Sequence, residues 1–152
     1  MGTVTPRPLV QVACVCEKVL IEPDNVPTLV RVVDTLMLQP APPSAVPTNL
    51  QLTLFVSLKS GETVGDFEVG FRLNPPEGKD SQIRKWPVEF KGGEHGAHLK
   101  IDFVLANPSL GLYWFDVLWG DEILTRIPFR LKTTTTSAPT AEAVEPSATT
   151  TR

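Results

Sequence analysis

Four residues in this chain have side chains that could bind a metal ion. Cys14-x-Cys16 and His95-x-x-His98 supply the four soft or borderline ligands that a structural zinc site needs. The cysteine spacing disfavours such a site, because zinc motifs place about two to four residues between paired cysteines and a C-x-C on a flat strand splays its thiolates. We therefore expect Cys14 and Cys16 to be small core residues, and His95 and His98 to lie in and beside a Gly-rich turn. No metal or other cofactor is predicted.

Enzymatic chemistry has little support in the sequence. It contains no G-x-S-x-G elbow, no H-E-x-x-H and no phosphate-binding loop. A hydrolase would have to recruit His95 or His98 together with a serine and an acid that no motif marks. The sequence therefore predicts a non-enzymatic protein. The alternative is a small metal-dependent or hydrolytic enzyme that uses the two histidines.

The clearest structural pattern is the segment 110–132, LGLYWFDVLWGDEILTRIPFRLK. Aromatic and β-branched residues fill both halves of it, and such residues suit a pleated, half-buried surface. Gly120-Asp121 separates the halves and tolerates the positive φ angles of a hairpin turn. The segment therefore predicts a β-hairpin.

The register of this hairpin depends on where Asp116 points. A two-residue loop would pair Leu118 with Ile123 and turn Asp116 toward the core. A three-residue loop with a bulge would instead pair Trp119 with Ile123 and send Asp116 and Arg126 to solvent together. Burial of an unpaired carboxylate is costly, so we favour the bulged loop. The side chains then expected in the core are Tyr113, Phe115 and Val117.

This register predicts an apolar strip with a polar rim on the outer face of the hairpin. Exposed contiguous apolar strips are rare on proteins without a partner, and tryptophan is favoured at interface centres. We therefore expect a protein partner, or a homodimer, to bind there. Carbohydrate binding on Trp86, Trp114 or Trp119 is an open alternative that no spacing demands. The predicted contact residues are Leu112, Trp114, Leu118, Leu124, Arg126 and Arg130.

Further strands come from apolar residues that alternate with polar ones between clusters of Pro, Gly, Asn and Asp. The expected segments are 8–21, 28–38, 50–58, 66–74, 83–90 and 97–105. Pro87 marks 83–90 as an edge strand, because proline cannot donate to a central ladder. With the hairpin, the set of about eight strands predicts an all-β fold, a single antiparallel two-sheet immunoglobulin-like sandwich.

The domain organisation follows from a change in composition. Residues 1–7 form a flexible lead-in and residues 8–132 the β-sandwich domain. From residue 133 onward, Thr, Ala, Pro and Ser dominate and aromatic residues are absent. Such a segment cannot offset its ordering entropy, so residues 133–152 are predicted to be a disordered tail.

Composition also bounds the partners and the compartment. A formal charge of −3 and a pI near 5.4 argue against nucleic-acid binding. No apolar run approaches the ~20 residues of a membrane span. Cys14 and Cys16 on one strand would lie about 7 Å apart, too far for a comfortable disulfide. Free thiols indicate a reducing compartment, so the expected location is the cytoplasm.

Two segments together resemble a known family. The first contains Cys16-Glu17 and, after a turn, TLVRVVD at 28–34; the second contains GLYWFDV at 111–117 and PFRL at 128–131. These motifs are similar to a family of small uncharacterised bacterial proteins with a Gly-x-Tyr-x-Phe-x-Val strand, and the resemblance covers most of 9–132. It implies a domain of unknown function from a bacterium or bacteriophage, and no activity. Glu17 stands where the family pattern has Asp.

Overall fold

The protein is all-β. The computed structural model describes residues 5–39, 49–78 and 81–134, and every regular element in these ranges is a strand. The strands are β1 (Leu9–Ile21), β2 (Pro27–Val32), β3 (Thr35–Leu38), β4 (Asn49–Asn74), β5 (Arg84–Ala106), β6 (Gly111–Trp119) and β7 (Glu122–Thr133). They form one mixed sheet in the order β2-β1-β4-β6-β7-β3, and β5 pairs with β4. The sheet curls into a half-barrel.

Two consecutive strands occupy opposite edges of this sheet. β2 pairs antiparallel with β1, whereas β3 pairs parallel with β7. The prediction of a wholly antiparallel fold is therefore wrong. Between them the Val33 N–H donates to the Val15 carbonyl at 2.7 Å, and the Asp34 carbonyl accepts from the Arg130 N–H at 2.9 Å. The segment expected as one strand over 28–38 therefore crosses from one edge to the other. This crossing brings the edges together.

A long bent hairpin, β4–β5, replaces four strands that the sequence indicated separately. The ladder between β4 and β5 runs from Asn49↔Ala106 to Phe71↔Arg84 with irregularities between Lys59 and Val64. Glycines that read as turns adopt positive φ within the paired strands and bend them without ending them. Among the described strands β5 pairs with β4 alone, so the predicted edge position of 83–90 is confirmed.

The core lies on the concave face of the sheet. β4 contributes fully buried side chains such as Leu54 and Val56 from its first half and Val69 from its second. Phe103 of β5 packs edge-on against Phe115 of β6, with ring centroids 5.0 Å apart. The two arms of the bent hairpin therefore share one core. Tyr113, Phe115 and Val117 are all buried in it, which confirms their predicted core positions.

Two predictions concern the ends of the chain. The predicted tail begins at Thr133, yet Thr133 still belongs to β7, and the Thr134 N–H donates to the Leu38 carbonyl at 3.0 Å. The rest of the tail, 135–152, and the first part of the lead-in, 1–4, lie outside the described residues. A search of the described residues finds no helix with the length and apolar character of a membrane span.

Candidate functional site

The β6–β7 hairpin combines the two registers that the sequence left open. The turn at Gly120-Asp121 has two residues, so Trp119 pairs with Glu122 and Leu118 with Ile123. The ladder then shifts between Val117 and Leu118, after which Asp116 pairs with Arg126. The predicted Trp119–Ile123 pair is therefore wrong, whereas Asp116 and Arg126, which were expected to point the same way, are ladder partners. The bulge was expected at the turn but lies within the ladder, where Leu124 is the extra residue.

Asp116 is fully buried on the outer face, so the expectation that it faces solvent is wrong. Arg126 Nε donates to Asp116 Oδ1 at 2.8 Å, and Arg72 Nη2 donates to Oδ2 at 2.7 Å. Asn74 Nδ2 also donates to Oδ2, at 2.9 Å. The carboxylate thus gains partners from the neighbouring strands β4 and β7, and its burial carries no unpaired charge.

The electrostatics of this cluster favour the charged carboxylate. Desolvation raises the pKa of Asp116, but hydrogen bonds from Arg72, Arg126 and Asn74 outweigh that effect, and the resulting pKa is below its usual range. The arginine side chains remain in contact with solvent, 33% exposed for Arg72 and 51% for Arg126. A buried anion therefore holds two cations that remain partly exposed.

Trp114 lies next to this cluster on the same face. Its neighbours across the two ladders are Asn74 and Pro128, and its backbone carbonyl accepts a long hydrogen bond of 3.4 Å from Asn74 Nδ2. The guanidinium carbon of Arg126 lies 5.1 Å from the centroid of the ring, within cation–π range. The indole is half-buried, so part of its surface is open to solvent.

One of the predicted contact residues is buried, and another packs against the core. Leu118 is 5% exposed, because Gly70 has no side chain and lets Leu118 and Ile83 pack closely above it. A Cβ built at Gly70 would lie 3.2 Å from Leu118 Cβ and 3.3 Å from Ile83 Cγ2. Leu124 packs against the main core, because the bulge turns it inward. The predicted exposure of Leu118 is therefore wrong, whereas Leu124 is half-buried, as are Leu112 and Trp114.

The other predicted contact residues do lie together. Leu112 is half-buried and pairs with the exposed Arg130, two ladder positions beyond Trp114 and Pro128 and therefore on the same face. We use the term hairpin face for the surface that these residues form with Arg126. Its members are Leu112, Trp114, Arg126, Pro128 and Arg130.

Sequence reasoning missed the residues of β4 that support this face. Arg72 and Asn74 are 44 and 42 positions before Asp116 in the chain, and only the β4–β6 pairing brings them to it. The available signal was a carboxylate in the middle of an otherwise apolar strand. Such a group requires a cationic or amide partner from another strand if it is buried.

The four side chains considered as candidate metal ligands do not form a metal site. Cys16 is buried with Val19 and Phe55 in a small cluster separate from the main core, and Cys14 packs at its margin. His98 stacks at a tilt on Phe55 with ring centroids 5.6 Å apart. Within the described residues, no three His, Cys, Asp or Glu side chains are grouped closely enough to hold a metal ion.

Burial also keeps the thiols protonated. It raises the pKa of Cys14, and it raises that of Cys16 to about 11 with a smaller contribution from Cys14 nearby. The thiolate is the form that binds metals and attacks electrophiles. Both cysteines therefore have the properties of small hydrophobic residues, and both are free thiols. His95, at the bend of β5, accepts a hydrogen bond from Ser60 Oγ through its backbone carbonyl, at 2.8 Å.

A cleft of about 800 Å³ lies between the arms of the bent hairpin. Aromatic side chains line it, and Trp86, 42% exposed, stands at its margin. Trp119 contacts Phe67 and Phe90 instead, with ring centroids 4.8 and 5.6 Å away. The three tryptophans thus lie in three different environments, and the structure forms no common platform for a carbohydrate. The aromatic residues of the cleft are Phe71, Trp86, Phe103, Tyr113 and Phe115.

Comparison of the chain with protein-family models, with curated proteins and with solved structures found no match.

Proposed function

We propose that this protein is a non-enzymatic binding module that acts by protein–protein contact through the hairpin face. Trp114 carries the proposal. Trp114 is half-buried, and Arg126 lies over its ring while it donates to the buried Asp116. Tryptophan and arginine dominate the binding energy of many interfaces, and side chains ordered before binding lose less entropy when a partner docks.

The arrangement of charge on this face also supports a protein partner. Arg126 and Arg130 are exposed on either side of Trp114, while the one carboxylate of the cluster is buried beneath the surface. The face therefore presents positive charge around an apolar centre, and the partner that fits it carries an apolar side chain flanked by carboxylates.

The proposal includes an immunoglobulin-like two-sheet sandwich as the architecture of the half-barrel. The Tyr113 hydroxyl donates to the Ser109 carbonyl at 2.8 Å, four residues upstream, at the entry to β6. Such a tyrosine corner is typical of Greek-key sandwiches. The bend of β4–β5 supports the same architecture, because it allows the first arm of the hairpin to pack over the second.

Three further elements of the account remain predictions. They are a cytoplasmic location, membership of the family of small uncharacterised bacterial proteins, and the absence of nucleic-acid and membrane partners. The alternative of a metal-dependent or hydrolytic enzyme using His95 and His98 gains no support from the grouping of side chains in the described part of the chain.

A pull-down with the full chain tests the proposed surface. Wild type, Trp114→Glu and the matched control Val32→Glu are immobilised and exposed to a bacterial lysate. Val32 is an apolar residue of β2, 56% exposed and outside the hairpin face. We expect wild type and Val32→Glu to retain the same protein and Trp114→Glu to lose it.

Trp114→Glu should remain folded, because the new carboxylate would lie beside Arg126. Circular dichroism of each variant checks this. Retention of the same proteins by all three chains would contradict the proposal.

A further inference from the structure

The edge of β5 over residues 97–106 is the second surface that the structure leaves accessible. β5 is hydrogen-bonded to β4 alone among the described strands. Ile101 to Ala106 line the cleft, so this stretch borders open space. A strand edge of this kind is a template for pairing with another strand unless something protects it.

The apolar residues of this edge continue the core and are incompletely covered. Ile101 and Phe103 are half-buried, whereas their ladder partners on β4, Leu54 and Leu52, have no exposed surface. On the opposite side of the strand Val104 is 57% exposed. One more strand beside β5 would cover this apolar row.

The charges on this edge indicate which strand would fit beside β5. Lys100 and Asp102 flank Ile101 on the outer side of β5, with side chains 43% and 53% exposed. An antiparallel strand with the same sequence, centred on Ile101, would place its Asp102 opposite Lys100 and its Lys100 opposite Asp102. The edge is therefore complementary to itself.

We propose that a second copy of this chain pairs with the β5 edge as an antiparallel strand, about a two-fold axis at Ile101. The contact is isologous, so each ion pair forms twice. On the inner side, Leu99 of each copy lies opposite Phe103 of the other. The two sheets then become continuous across the dimer, and the apolar row of each copy is covered by the other.

The register follows from the same residues. A two-fold axis between two residues would pair the core side of one copy with the outer side of the other, which the alternation of β-strands disfavours. Moving the axis by one residue places Lys100 opposite Lys100 or Asp102 opposite Asp102, and like charges directly opposite are destabilising. The axis at Ile101 avoids both conflicts.

This inference is independent of the hairpin face, which lies on β6 and β7. It assigns self-association to β5 and leaves Trp114 free for a different protein. The two proposals can therefore fail separately.

Light scattering behind size exclusion tests the dimer on the full chain. We expect wild type to be dimeric, and Lys100→Asp and Asp102→Lys each to raise the dimer Kd at least tenfold, because each places like charges opposite one another. An equimolar mixture of the two variants should restore the dimer, since both facing pairs are complementary when one copy of each variant pairs. The double variant K100D/D102K should also be dimeric.

Lys85→Asp is the matched control. Lys85 lies on the same strand, is 67% exposed and stands 3.9 Å from Glu68, the same distance as Lys100 from Asp102. Its reversal should leave the dimer intact, as should Trp114→Glu.

Three results would overturn the inference: a monomeric wild type up to about 1 mM, single variants that stay dimeric, or a mixture that stays monomeric. The mixture and the double variant also separate loss of pairing from loss of folding, because misfolded chains would not regain the dimer. Loss of the dimer in Trp114→Glu but not in Lys100→Asp would assign self-association to the hairpin face instead.

Discussion

Arg126 Nε lies 2.8 Å from Asp116 Oδ1 and donates to it across the β6–β7 hairpin. The contact joins a fully buried carboxylate to an arginine that is half exposed and lies over the ring of Trp114. A buried group therefore sets the position of the surface residues proposed to bind a partner.

Asp116→Asn should destabilise the protein by about 2 kcal/mol, because Arg72 and Arg126 lose their shared anion while they keep partial access to water. Urea unfolding followed by circular dichroism measures the change. Asp66→Asn, at an exposed position on β4, is the control and should change the free energy of unfolding by less than about 0.5 kcal/mol. Equal effects of the two substitutions would refute a structural role for the cluster.

The same carboxylate makes stability depend on pH in acid. The pKa of Asp116 is lower in the folded protein than its usual value. The folded state therefore binds fewer protons than the unfolded state in that range, and stability is lost as the pH falls from about 4 through the folded pKa. Unfolding free energies of wild type and Asp116→Asn should differ at pH 7 and approach each other toward pH 2. A constant difference across that range would contradict this assignment.

Tyr113→Phe should reduce stability by about 1 kcal/mol, because it removes the hydroxyl that donates to the Ser109 carbonyl. Tyr113 is the single tyrosine of the chain, so its ionisation can be followed by ultraviolet absorbance. Burial, with a smaller contribution from the charge of Glu77, raises the pKa of this phenol. The titration midpoint should lie above that of free tyrosine in the folded protein and return to the ordinary value in denaturant.

The buried thiols should react slowly with disulfide reagents at neutral pH. Burial raises the pKa of Cys14 and takes that of Cys16 to about 11, so both remain thiols. We expect slow labelling of the half-buried Cys14 and no labelling of Cys16 until the chain unfolds. Variants with a single cysteine distinguish the two rates. Rapid reaction of Cys16 in the folded protein would show that the site is more open than described.

The fold could be predicted from sequence where alternation alone decides it. Tyr113, Phe115 and Val117 share the core face, since a period of two leaves one choice once the hydrophobic side is known. The four segments that form β4 and β5 could not be joined from sequence. The segments around Gly61 and Gly92 have the composition of turns. Only the paired ladder shows that positive φ at these two glycines bends a continuous hairpin.

Only part of the candidate site could be predicted from the sequence, for a similar reason. The pairing of Asp116 with Arg126 follows from the local hairpin, whereas Arg72 and Asn74 come from a strand more than forty residues away. The burial of Leu118 depends on Gly70 of β4 and on Ile83, which lies just before β5. Contacts between distant strands leave no periodic signal in one sequence, so these residues became visible only with the sheet order.

The most direct test of the central claim is site-specific photo-cross-linking from position 114 of the full chain in bacterial cells. A photoreactive phenylalanine analogue replaces Trp114, and the same analogue at Val32 is the control. The account predicts a discrete cross-linked adduct to another protein from position 114 and none from position 32. Equal yields at the two positions, or no adduct from position 114, would contradict a binding role for the hairpin face.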